Sequence, residues 1–163
     1  MPQIIVSSLD AAKNACECYS PGFVISILDK NDPTPEPCLA LPAGRHLTLD
    51  GAADETSWCP AIIDFAKRWA ETSDNVLIHC HRGVARSMAI AYILMCVREK
   101  GGCEEKIAGR LRAAAPHADP NILLISRADE LLDRKDRMIG AVLDLCPCCS
   151  TVSAPVVILP VEA

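Results

Sequence analysis

Long apolar runs are missing from this chain of 163 residues, and so is any excess of positive charge. Its apolar segments fall short of the roughly 20 residues that a membrane-crossing helix needs. The opening MPQIIVSSLDAAK lacks the basic lead and apolar stretch of an export signal. The expectation is a soluble, cytoplasmic protein with no membrane span. With 16 Lys and Arg against 21 Asp and Glu the formal net charge is −5, so no broad positive field draws nucleic acid or an anionic membrane. An anionic substrate then needs a local positive site. Aromatics make up only 4% of the residues, but hydrophobic residues reach 50% and charged ones 23%, the balance of a chain that folds. Internal repeats and low-complexity blocks are absent.

Cysteine is plentiful, with ten in the chain. A secreted disulfide framework is disfavoured, because the thiols are scattered, the chain is long enough to bury a core, and no export signal precedes them. Cys38, Cys59, Cys96 and Cys103 read as packing or exposed thiols. Cys146, Cys148 and Cys149 are too tightly spaced for a tetrahedral site and lack a second cluster, so neither metal nor cofactor is expected.

The length predicts one domain over residues 1–163, with a core over 3–138 and a less defined tail over 146–163. Residues 3–7 are apolar and β-branched, 10–18 suit a short helix, and FVISILD after Gly22 is a second strand. The prolines of NDPTPEP make a surface loop. A short strand at 46–49, a turn-rich GAADETS and a helix over 58–71 complete another crossover. Residues 76–78 form an all-apolar central strand, and helices follow over 86–99, 104–115 and from 122 to 134 or 138. The prolines of the tail favour an ordered but irregular segment over an edge strand. The fold class expected is three-layer α/β, with a central, mostly parallel sheet flanked by helices.

The stretch VLIHCHRGVARSM, residues 76–88, carries the chemistry. Cys80 ends the central strand, Gly83 allows a tight turn, and Arg86 opens a helix, so the amides of His81, Arg82, Gly83, Val84, Ala85 and Arg86 can curl round one point at a helix N-terminus. Such a nest holds a tetrahedral oxyanion and favours thiolate over thiol. The Arg86 fork can meet two phosphoryl oxygens at once.

HCHRGVARS resembles the signature of the cysteine-dependent protein tyrosine phosphatase superfamily, in its dual-specificity or bacterial tyrosine phosphatase branch. The resemblance implies Cys80 as nucleophile and Arg86 as the phosphate-binding, transition-state-stabilising arginine. It implies His79 as the residue that tunes the thiolate, and Ser87 as the hydroxyl that supports thiolate and leaving group. Residues 111–132, with Pro120 and Asn121 at a helix start, also resemble the helical region that follows the signature in bacterial members. Many dual-specificity members have serine at the position of Ala85 and alanine at that of Arg82, which implies altered loop hydrogen bonding rather than lost chemistry. A general-acid aspartate is implied upstream, in LDGAADET. Asp54 is preferred over Asp50, which sits so close to the strand that the sheet edge can hold it. The bland role for Asp54 is a helix cap.

The activity implied is metal-independent hydrolysis of phosphate monoesters, on phosphotyrosine or with dual specificity, through a cysteinyl-phosphate. The substrate would be a phosphorylated protein or a small phosphate ester, and the protein a monomer. Two alternatives stand beside it: a rhodanese-like sulfurtransferase, which needs no aspartate, and a catalytically weak phosphate-binding module.

Overall fold

A computed structural model describes residues 1–151 and 154–162. Its five strands are β1 (Gln3–Ser8), β2 (Phe23–Leu28), β3 (His46–Asp50), β4 (Val76–Cys80) and β5 (Val157–Pro160). They form one sheet in the order β3-β2-β4-β1-β5. The first four are mutually parallel, with Ile4 opposite Val76 and Phe23 also opposite Val76, while β5 runs antiparallel to β1. β4 therefore lies between β1 and β2, covered on both faces, as its uninterrupted apolar start requires. The architecture is three-layer α/β, with a mostly parallel sheet flanked by helices.

Alternation along the strands distributes the two cores. Ile4, Val6, Phe23, Ile25, Val76 and Ile78 pack against the larger helical layer, whereas Ile5, Val24 and Leu77 face a smaller cluster with Ala15 and Cys16. The smaller layer is α1 (Leu9–Tyr19), capped by Ser8, with the 3₁₀ turn Glu36–Ala40 beside it. The larger layer holds α2 (Cys59–Ala70), α3 (Arg86–Arg98), α4 (Glu104–Ala114), α5 (Ile122–Leu131) and α6 (Arg137–Leu143). Buried residues run without a break from Ser87 to Val97 in α3. The helix has no solvent face of any width because α2, α4 and α5 pack round it and the sheet lies beneath. Among the described residues no helix is long and apolar enough to cross a membrane.

Two sequence expectations change. The helix expected to run from 122 to 134 or 138 is two helices, broken where Asp133, Lys135 and Asp136 take positive φ. Asp129 enforces the break: its buried carboxylate accepts the N–H groups of Asp136 at 2.8 Å, Met138 at 2.6 Å and Ile139 at 3.2 Å, and so caps α6 from within α5. The tail, expected to be irregular, supplies the antiparallel edge strand β5. Val157 and Leu159 point into the larger core, with Val161 beyond them, and Pro160 sits at the strand end, where a missing donor costs little. Residues 152, 153 and 163 of that tail lie outside the described residues.

Candidate active site

β4 ends at the sheet's C-terminal edge, beside the point where the chain order reverses, which is where open α/β sheets leave a crevice. Cys80 is its last residue and is 2% exposed. The loop 81–85 then turns back into α3, whose N-cap Ala85 makes no side-chain cap bond. The first amides of α3 are thus left for whatever occupies the loop. Gly83 has φ +71, and a Cβ there would lie 2.9 Å from the carbonyl carbon of Ser7. Glycine is required on both counts, because the loop crest rests on the β1–α1 junction. The Leu9 N–H reaches the His81 carbonyl at 3.4 Å from the same junction.

From the opposite side the α4–α5 connection buttresses the loop. The Asp119 N–H donates to the Val84 carbonyl at 3.0 Å and the Asn121 N–H to the Ala85 carbonyl at 3.2 Å. Asn121 also caps α5 and donates from its side chain to Glu55.

At the floor, the Cys80 Sγ receives the Gly83 N–H at 3.2 Å and lies 3.2 Å from the Ser87 Oγ. A cavity of about 280 Å³ opens above it, lined by Asp29, Cys80, His81, Arg82, Val84, Ala85, Arg86 and Asp119. Arg86 is one-fifth exposed, with Nη1 3.4 Å from the Gly51 carbonyl and 3.9 Å from Asp29 Oδ1. A Cβ on Gly51 would displace the Asp29 carboxylate from its position beside Arg86. Arg82 is exposed and its guanidinium reaches the Thr151 carbonyl at 3.4 Å.

His79 lies one residue back, fully buried in the sheet. Its Nε2 is 2.7 Å from the Ser26 hydroxyl, which is also 2.8 Å from the His46 Nε2. One hydroxyl proton serves two imidazoles, so one ring accepts from Ser26 and the other donates to it. Burial, with His46 nearby and against a smaller opposing pull from Asp32, drives the His79 pKa down to about 4. At neutral pH the ring is therefore neutral, and its Nε2 is engaged with Ser26.

The structure thus brings together Cys80, Arg86, Ser87 and the whole of loop 81–86, with His79 directly beneath. Asp54 and Asp50 are not part of the cavity lining. The Asp54 carboxylate caps the 3₁₀ turn Glu55–Trp58, accepting the Thr56 hydroxyl at 2.8 Å and the Thr56 N–H at 3.0 Å, and these bonds hold its pKa below the usual carboxylate value. Asp50 accepts the Ala52 N–H at 2.9 Å. The carboxylates that do line the cavity, Asp29 and Asp119, are the ones sequence reasoning missed. Asp29 carried a usable signal, since it directly follows β2 at the same C-terminal sheet edge. Asp119 carried none, because its place depends on how the α4–α5 connection docks. Among the described residues, Asp29, Asp32 and His81 also bring potential metal-ligating atoms within 4.8 Å of one another on the rim.

No family model and no curated protein matches the sequence. Solved structures do. DUSP15 superposes with a TM-score of 0.62 at 17% identity, over 90% of this chain and 94% of that one. Human DUSP28 gives 0.58 at 18% identity over 82% and 90%. PTP-2 phosphatase of Cydia pomonella gives 0.58 at 18% identity over 98% and 94%. The fold is that of the cysteine-dependent tyrosine and dual-specificity phosphatases. At such identities the likeness is one of architecture, and the chemistry has to be argued from the side chains of this chain.

Proposed function

We propose that this protein is a metal-independent phosphatase acting on phosphate monoesters, with phosphotyrosine or dual specificity, through a cysteinyl-phosphate intermediate. The observation that carries the reading is the Cys80 sulfur, held between the Gly83 N–H and the Ser87 hydroxyl at the floor of a cavity that Arg86 also lines. Cys80 attacks phosphorus, the ester oxygen leaves with a proton, and the loop amides and Arg86 share the charge on the equatorial oxygens. Water then attacks the cysteinyl-phosphate, with Ser87 supporting the departing thiolate. Thiolate and fixed donors together supply nucleophile and charge stabilisation, so the reading routes no step through a metal. The substrate is a phosphorylated protein or a small phosphate ester, acted on by a cytoplasmic monomer.

The proton donor has two sources. The sequence resemblance points to Asp54, with Asp50 as its alternative, and either must leave its local bond and swing over the cavity. Asp29 already lines the cavity and needs no movement.

The test is release of phosphate from an aryl phosphate in the presence of a strong chelator, together with acid-quench trapping of phosphate on Cys80. Turnover with a trapped thiophosphate ester is expected. An absolute need for divalent metal, or transfer of sulfur from thiosulfate to cyanide with no phosphate release, overturns the reading.

A further inference from the structure

The smaller core cluster holds a pair of thiols that the proposed chemistry does not use. Cys16, late in α1, and Cys38, in the 3₁₀ turn Glu36–Ala40, are 6% and 1% exposed. Their sulfurs lie 3.3 Å apart. Among the described residues the other buried thiols outside the active site have no such partner: Cys59 donates to the Leu124 carbonyl at 3.4 Å, and the neighbour of Cys96 is the Tyr92 hydroxyl. An S–S bond is about 2.05 Å long, so the remaining gap between the sulfurs is about 1.3 Å.

The pair is also chemically asymmetric and reachable. The hydrogen bond between the two thiols lowers the pKa of Cys38 and raises that of Cys16. Cys38 is therefore the better nucleophile of the two. A cavity of about 220 Å³, lined by Cys16, Ser20, Pro21, Val24, Pro37 and Leu41, opens beside Cys16. That is several times the roughly 30 Å³ a water molecule occupies in the liquid, enough for a small peroxide.

We propose that Cys16 and Cys38 are a redox-active dithiol that a small hydroperoxide converts into an intramolecular disulfide, independently of Cys80. For hydrogen peroxide, the Cys38 thiolate attacks one oxygen, the O–O bond breaks, and the other oxygen leaves as water, giving a sulfenic acid on Cys38. The Cys16 sulfur then attacks the Cys38 sulfur, the S–O bond breaks, and a second water leaves. Two thiols lose two electrons and two protons, and one peroxide becomes two waters. The bond ties α1 to the 3₁₀ turn and closes a loop that contains β2 and Asp29, one wall of the active-site cavity. Oxidation therefore clips the segment between that wall and the turn.

The decisive measurement is made on the folded full chain carrying Cys80→Ser, so that the active-site thiol does not compete. The protein is treated with stoichiometric hydrogen peroxide, denatured, alkylated and mapped by mass spectrometry. The expected result is two fewer alkylated thiols, recovery of the 16–38 peptide pair as a disulfide, reversal by dithiothreitol, and a higher Tm for the oxidised form. Cys16→Ser should leave a sulfenic acid on Cys38 that dimedone captures. Recovery of both Cys16 and Cys38 as alkylated peptides, with oxidation confined to the exposed Cys18, Cys103, Cys146, Cys148 or Cys149, overturns the proposal. Mapping of the protein with both thiols in place decides the matter even if the Cys16→Ser variant does not fold. Phosphatase activity enters none of these readouts.

Discussion

Two buried thiols bracket α3. Cys80 precedes its first turn at 2% exposure, and Cys96 sits near its last turn at 0%. Burial hardly distinguishes them; their surroundings do. The Cys80 sulfur faces the Gly83 N–H, the Ser87 hydroxyl and an open cavity, with the positive end of the helix dipole beside it. Cys96 lies among packed side chains, and burial is the largest influence on it, pushing its pKa up to about 12 despite the opposing Tyr92 hydroxyl and Arg134 charge. On the proposed chemistry, donors and access at a helix start make a cysteine a nucleophile, while the same residue under equal cover near the other end is packing.

The sharpest way to break this contrast is substitution of each thiol. Cys80→Ser is expected to reduce phosphate release to background, whereas Cys96→Ser should keep turnover within about twofold and instead cost about 1–3 kcal/mol of stability by burying a hydroxyl in place of a thiol. Loss of turnover in Cys96→Ser with stability intact would dissolve the distinction. Next comes Arg86, whose fork faces the site that the Cys96 end of the helix lacks. Arg86→Lys keeps the charge but loses the paired donors, and a fall in kcat of about 10²- to 10³-fold is expected, with KM changing far less.

The aspartates sharpen the contrast further, since on the proposed chemistry only the Cys80 end needs a proton for a leaving group. Asn variants of Asp29, Asp54, Asp50 and Asp119 should be compared on phosphotyrosine and on an activated aryl phosphate whose leaving group needs little protonation. Asp29→Asn is expected to lose about 10²-fold on phosphotyrosine alone. The same selective loss in Asp54→Asn would show instead that the segment 50–54 swings over the cavity during turnover.

The smallest expected effect is on stability and comes from His79. Its folded pKa, about 4, lies below the 6.5 of an unperturbed imidazole, so between those values the unfolded chain binds the extra proton. Stability is therefore complete above about pH 6.5 and declines as pH falls toward 4. Between pH 7 and pH 5 the loss should be about 2 kcal/mol in chemical denaturation, and His79→Gln should abolish that share of the slope. An equal slope in wild type and variant would assign the pH dependence to other groups.

How much of this was legible follows from where each instruction resides. The run into Cys80, the glycine at 83 and the start of α3 are local in sequence, and a strand that must end where a helix begins leaves few arrangements. Loop 81–86 could be anticipated for that reason. Asp29 belongs to a different strand, and its approach to Arg86 depends on β2 lying beside β4, which no local pattern encodes. Asp119 reaches the loop because the α4–α5 connection docks there through one backbone hydrogen bond from Asp119 and one from Asn121, a tertiary contact with no sequence signature. The apolar spacing of residues 122–138 continues through the α5–α6 break, so periodicity predicts one helix, while the break is imposed by the buried Asp129. Proline concealed β5, although the inward alternation of Val157, Leu159 and Val161 was present to be read.

Asp129 also bears on how the molecule opens. Its carboxylate is 2% exposed and is satisfied by amides at the start of α6. If α6 frayed alone, a charge would be left buried without donors, which is costly. If α5 frayed alone, the first turn of α6 would lose its cap. The two helices therefore share one opening event, and the Tyr92 hydroxyl, within hydrogen-bond reach of the Met138 carbonyl at 3.2 Å and the Glu104 carbonyl at 3.4 Å, joins that unit to α3 and the start of α4. In native-state hydrogen exchange the amides of α5 and α6 should report a single opening free energy, and in Asp129→Asn those of α6 should exchange ahead of those of α5.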